Sequence, residues 1–159
     1  MAQKTSHITC QTKWAGGMAF EAHFGDHKFT MDSKSDFGGK DLGPSPKEVL
    51  LSSICACSGM DVASILQKMR VDLQSCDINA QTETTEGYPS IFKQVRVQYH
   101  VASSNAKEEQ VMKAVVLSMT KYCGVTAMVA PTSPVVYEVF LNAEKIGEGI
   151  ADFTAAKQD

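Results

Sequence analysis

The segment Ser45-Pro46-Lys47-Glu48, running into the apolar stretch Val49–Leu66, constrains the fold more than any other part of the chain. Ser45 suits a helix N-cap and Pro46 the first helical position. Glu48 falls third, where its carboxylate reaches back to close a capping box. The predicted helix runs to Met69 or Arg70, with Lys68 and Arg70 placed to complement the C-terminal end of its dipole. At 1.5 Å per residue it is roughly 35 Å long. A helix that is apolar nearly all round must be covered on most sides. One small sheet cannot do that, so the pattern calls for a second layer or a second subunit. The stretch nearly reaches the about 20 residues that span a bilayer. Ser52, Ser53, Ser58 and Asp61 interrupt it, and no aromatic belt flanks it, so a helix buried in protein is expected.

The rest of the chain is expected to supply sheets. His7–Trp14, Met18–Phe24 and His27–Met31 read as a meander, turned at Gly16-Gly17 and Gly25-Asp26. Asp32–Ser45 reads as a loop. Asp72–Thr82 and Ile91–Val101 alternate as strands, joined by a turn at Gly87-Tyr88-Pro89-Ser90. Asn105–Lys121 has helical spacing, with Ser104 or Asn105 as its cap. Gly124–Val129 follows as a short helix, and Val135–Leu141 closes as a strand. The class is α+β. At 159 residues the chain suits one domain, 1–159, with a core of about 7–141 and a polar tail at 151–159. Met60, Met112, Met119 and Met128 are expected in that core.

A net charge of −3 with no basic run gives nucleic-acid binding no electrostatic support. The N-terminus, Met1–His7, lacks an apolar export core, which makes a cytoplasmic protein the expectation. The five cysteines are odd in number and are expected to be reduced thiols rather than a disulfide scaffold. Cys57 lies in Cys57-Ser58-Gly59-Met60-Asp61-Val62, and Cys123 in Lys121-Tyr122-Cys123-Gly124-Val125-Thr126. Two cysteines far apart, each on or beside a helix, point to thiol chemistry rather than a metal knuckle. Cys10, Cys55 and Cys76 read as packing residues. His7, His23, His27 and His100 have no metal-ligand spacing. No cofactor is expected. Asp61, one turn beyond Cys57, is expected to cap or to bridge helices.

Taken together, Gly43–Leu51, Cys57–Val62, Tyr88-Pro89-Ser90-Ile91-Phe92 and Tyr122–Thr126 resemble the OsmC/Ohr family in kind and in order. The resemblance covers roughly residues 7–141. It implies an intertwined homodimer, with antiparallel sheets from both chains wrapped around two long central helices and active sites at the subunit interface. It further implies a thiol-dependent reduction of organic hydroperoxides. Cys57 would be the peroxidatic thiol, forming a sulfenic acid, and Cys123 the resolving thiol. A dithiol reductant, lipoyl-type or another thiol, would reopen the disulfide.

Glu48 lies next to the position where the family's peroxidases carry a supporting glutamate, although the cap already accounts for it. The family's N-terminal arginine has no counterpart, since the only arginines are Arg70 and Arg96. The chain thus resembles the less characterised OsmC-like branch more than typical Ohr peroxidases. The alternative is a non-catalytic dimer that binds a small molecule or senses redox state. Cys123, at a helix start, is expected to have its thiolate stabilised by free backbone N–H groups.

Overall fold

The computed structural model describes residues 6–156. Expectations placed on Met1–Thr5 and on 157–159 of the tail lie outside the described residues. By its contacts the chain divides into two compact units, 1–50 and 51–159. The fold is mixed α+β, with two sheets and three α-helices.

The first unit carries the predicted meander: β1 (Gln11–Gly16), β2 (Ala19–Phe24) and β3 (His27–Met31). Both pairings are antiparallel, with Trp14 opposite Phe20 and Phe20 opposite Met31. The loop after β3 contains a 3₁₀ turn at Ser35–Phe37 and is organised by one carboxylate. Asp32 is almost fully buried and accepts from the backbone N–H groups of Ser33 (2.7 Å), Lys40 (2.9 Å) and Leu42 (3.2 Å). Burial alone would push its carboxyl up. The three amides outweigh that and hold it below the ordinary carboxylate range.

α1 (Pro46–Lys68) starts where the capping box predicts. The Glu48 carboxylate accepts from both the N–H and the hydroxyl of Ser45 at 2.7 Å, and the Glu48 N–H returns a bond to Ser45 Oγ at 3.4 Å.

The second unit holds the order β4-β5-β6-β7: Leu73–Thr84, Phe92–Ser103, Val135–Leu141 and Glu144–Ile150. β5 and β6 pair in parallel, which corrects the expectation of purely antiparallel sheets. The helical connection between them, α2 (Glu108–Leu117) and α3 (Gly124–Val129), is long enough to return the chain to the same end of the sheet. Val95, Val97 and Tyr99 of β5 pack with Val135 and Val139 of β6, Val111, Val115 and Met119 from the α2 region, and Ile54, Val62 and Leu66 of α1. The N-cap of α2 is Lys107, not Ser104 or Asn105. Those two residues are engaged earlier: Asn105 accepts from the Asp72 N–H at 2.8 Å, and the Ser104 hydroxyl donates to Asp72 at 3.3 Å.

β7 has no counterpart among the sequence expectations. It turns back at Asn142-Ala143, both with positive φ (50° and 72°), as a tight hairpin requires. Its two glycines suppress any hydrophobic period. A Cβ at Gly147 would meet the Met112 side chain at 2.6 Å, and one at Gly149 would collide with the Tyr137 ring and hydroxyl.

Along α1 the buried residues form one stripe, Ile54, Ser58, Val62 and Leu66. By length and composition this helix could cross a membrane, yet only 22% of its apolar window is buried within the chain. Core helices of soluble proteins pass the same length and composition test. Met60 stands 73% exposed and Met128 75%. Both were expected in the core. Met60 projects from the face of α1 opposite the stripe, and six-residue α3 has little face to bury. Met119 is fully buried, as expected, and Met112 packs against the core.

Candidate thiol site

α1 carries Cys57 half-buried, one residue before Ser58 in the buried stripe. Cys123 is fully buried and is itself the N-cap of α3. Its Sγ accepts from the Thr126 N–H at 3.4 Å and lies 3.0 Å from the Thr126 hydroxyl. The Cys57 thiol lies close enough to act on it. The fold therefore brings together the two cysteines that the sequence singled out.

Burial is the largest influence on the Cys123 thiol and drives it up to about 11 from an ordinary 9.0. The hydroxyl and the amide of Thr126 pull it down, while the neighbouring Cys57 thiol pushes it up. The expected helix-start hydrogen bonds are present and act in the expected direction, but burial outweighs them. Two bonds from Thr126 do not replace the water that a buried thiolate loses.

Cys123 reaches this position because α2 does not simply end. The helix widens into a π-turn over Ser118–Tyr122, and the Cys123 N–H donates to the Ser118 carbonyl at 3.0 Å. Such wide turns recur at functional sites. The Ser118 hydroxyl donates to Asp61 Oδ2 on α1 at 2.9 Å. Ser58 Oγ is 2.9 Å from Ser118 Oγ and is also hydrogen-bonded to the hydroxyl of Tyr99 on β5. Asp61 thus bridges α1 to the turn, as the sequence allowed. Burial raises its carboxyl, partly offset by the Ser118 hydrogen bond. Tyr99 is raised well above the ordinary phenol range, chiefly by burial.

Glu48 belongs to the first unit. Its carboxylate is held below the ordinary range by the Ser45 amide, then by the Ser45 hydroxyl. These are the contacts of a cap. Arg96 faces solvent on β5, with Nη1 3.9 Å from Glu138, and Arg70, two residues beyond α1, takes a left-handed conformation (φ 59°). Burial raises Cys55, and it raises Cys76 together with the Asp77 charge. Cys76 packs against the core from β4, as expected. Cys10 does not pack: it is exposed, just ahead of β1. Among the described residues no three metal-ligating side chains cluster.

Ser58, Tyr99, Ser118 and Thr126 were not singled out from the sequence. One signal was available, because Ser58 interrupts the four-residue spacing of Ile54, Val62 and Leu66. A polar residue in a buried stripe needs a buried partner.

Comparison with known proteins places this arrangement. The family model described as OsmC-like protein matches residues 38–138. Protein YhfA of Escherichia coli K12 is 36% identical over 123 residues, covering 76% of this chain and 88% of YhfA. A hypothetical protein from Aquifex aeolicus superposes with a TM-score of 0.75 at 28% identity, covering 87% of this chain and 99% of that one. The organic hydroperoxide resistance protein OhrB of Bacillus subtilis shares the fold, with a TM-score of 0.56 at 15% identity over 86% of this chain and 98% of its own. With the family match spanning well over half of its length, this chain belongs to the OsmC-like protein family.

Proposed function

We propose that this protein is a homodimeric, thiol-dependent reductant of organic hydroperoxides in the cytoplasm, with Cys57 peroxidatic and Cys123 resolving. The observation that carries the reading is the nearness of the two thiols, close enough that Cys57 pushes the Cys123 thiol up. In the first step the Cys57 thiolate attacks the terminal peroxide oxygen. The O–O bond breaks, an alcohol leaves with a proton, and sulfur is oxidised to sulfenic acid. In the second step the Cys123 sulfur displaces that hydroxyl. A disulfide forms, and the Cys123 proton leaves in water. A dithiol, lipoyl-type or otherwise, reduces the disulfide by exchange. Glu48 enters only as a support through the cap of α1.

The dimer is supported by α1, whose apolar surface is mostly uncovered within one chain. A second copy covering that surface satisfies the burial that its composition demands. An apolar interface beside the thiols would favour organic hydroperoxides over hydrogen peroxide.

One observation favours the rival, a redox-sensing or small-molecule-binding dimer. Arg96 is engaged with Glu138 on the sheet, and burial disfavours the Cys123 thiolate. Peroxide consumption separates the two. Reduced protein with cumene hydroperoxide and dihydrolipoamide is expected to consume peroxide catalytically, and Cys57→Ser to lose that activity. Equal, negligible consumption by both proteins rejects the peroxidase.

A further inference from the structure

We infer that Ser118, with Asp61, Ser58 and Tyr99, is a positioning device for the Cys57–Cys123 disulfide step; this rests on the two-thiol reading above. Ser58, Tyr99 and Ser118 are fully buried, and together with Asp61 they form one connected chain of hydrogen bonds. Each hydroxyl has a single proton to give. The Ser118 proton goes to Asp61, so Ser58 donates to Ser118 and Tyr99 donates to Ser58. The direction of the whole chain is fixed by the carboxylate at its end.

Such a network holds geometry more than it adds stability. Buried hydroxyls and a carboxyl gain little over apolar side chains of the same shape, but a satisfied network admits only one arrangement of the elements it joins. Here the joined elements are those that carry the thiols. Ser58 follows Cys57 directly along α1, and Asp61 follows one turn later. Ser118 opens the π-turn, and its carbonyl takes the Cys123 N–H at 3.0 Å. One residue thus grips α1 with its side chain and Cys123 with its backbone. Tyr99 ties the same point to the central strand β5.

The device acts on resolution rather than on peroxide attack. Attack needs only the Cys57 sulfur and the substrate. Displacement of hydroxyl by Cys123 needs two protein sulfurs held in line, and a misplacement of about 1 Å in such a step costs on the order of 100-fold. A slowed second step leaves the Cys57 sulfenic acid exposed to a second peroxide, which carries it to sulfinic acid.

The test is single turnover without reductant. Cumene hydroperoxide is mixed with reduced protein, the reaction is quenched over time, and Cys57–Cys123 disulfide and Cys57 sulfinic acid are quantified by mass spectrometry. Ser118→Ala is expected to consume the first equivalent of peroxide at the wild-type rate. It is expected to form the disulfide on the order of 10- to 100-fold more slowly and to accumulate sulfinic acid under excess peroxide. Asp61→Asn keeps an acceptor for the Ser118 proton and is expected to resemble wild type. Asp61→Leu removes the acceptor and is expected to resemble Ser118→Ala. This second pair decides the matter if Ser118→Ala fails to fold. Disulfide formation at the wild-type rate in Ser118→Ala, or equal rates in the two Asp61 variants, overturns the inference alone. A wild type that never forms the disulfide sinks the two-thiol reading, and this inference with it.

Discussion

Alkylation of Cys123 as a function of pH measures what burial does to the resolving thiol. The thiol is pushed up to about 11, with burial the first cause. At that value about one thiol in a thousand is ionised at pH 8, and about one in eleven at pH 10. Iodoacetamide reacts with the thiolate, so the Cys123 rate rises about 90-fold between those two pH values. A thiol at the ordinary 9.0 gains only about tenfold over the same interval. The ratio cancels the slow entry of reagent to a side chain that is 0% exposed. The assay follows the Cys123 peptide by mass spectrometry, with circular dichroism at each pH confirming the folded state. Thr126→Val removes one of the groups that favour the thiolate and is expected to slow the reaction further at pH 8. Cys57→Ala removes a group that disfavours the thiolate and is expected to speed it. Linkage runs in the same direction. The folded state holds the Cys123 proton more tightly than the unfolded chain does, so its contribution to stability is complete below pH 9 and is lost as pH rises toward about 11. A Cys123 rate that levels off near pH 9 in folded protein, or one indifferent to Thr126→Val, refutes the reasoning.

Three further outcomes are expected. Leu66→Ala empties a fully buried site on the α1 stripe; it should cost about 3 kcal/mol and lower the urea midpoint without changing the slope. Asp32→Asn should speed hydrogen exchange at the Lys40 and Leu42 amides and flatten the acid limb of the stability curve. The Asp32 carboxyl lies below its ordinary 3.8, so its contribution is present above that pH and is lost as pH falls through the lower folded value. Met60→Glu puts a charge on the uncovered face of α1. Sedimentation velocity should show a dimer for wild type and a monomer for the variant, and a monomeric wild type removes the dimer from the proposal.

The parts of this fold that were legible in the sequence are those set by local chemistry. The capping box located the start of α1 to the residue, because Ser45 and Glu48 bond to each other across a single turn. The first two hairpins and the alternating strands β4 and β5 were legible for the same reason. β7 was not, because Gly147 and Gly149 answer to Met112 and Tyr137, which approach from other elements. At the site, two cysteines beside helices were visible as a pair of candidates. The sign of the Cys123 shift was not, since it depends on how completely the second unit closes over it. The Tyr99–Ser58–Ser118–Asp61 network joins two helical segments and a strand, and only the serine within an apolar stripe hinted at it.

Peptide mapping after a single equivalent of oxidant tests the pairing of the two thiols most directly. Reduced protein is treated with cumene hydroperoxide, blocked with an alkylating agent and digested without reduction. The expected product is one disulfide, Cys57 to Cys123, with Cys10, Cys55 and Cys76 recovered as alkylated thiols. Both Cys57 and Cys123 recovered as free thiols with the peroxide intact, or Cys57 bridged to a different cysteine, would contradict the assignment.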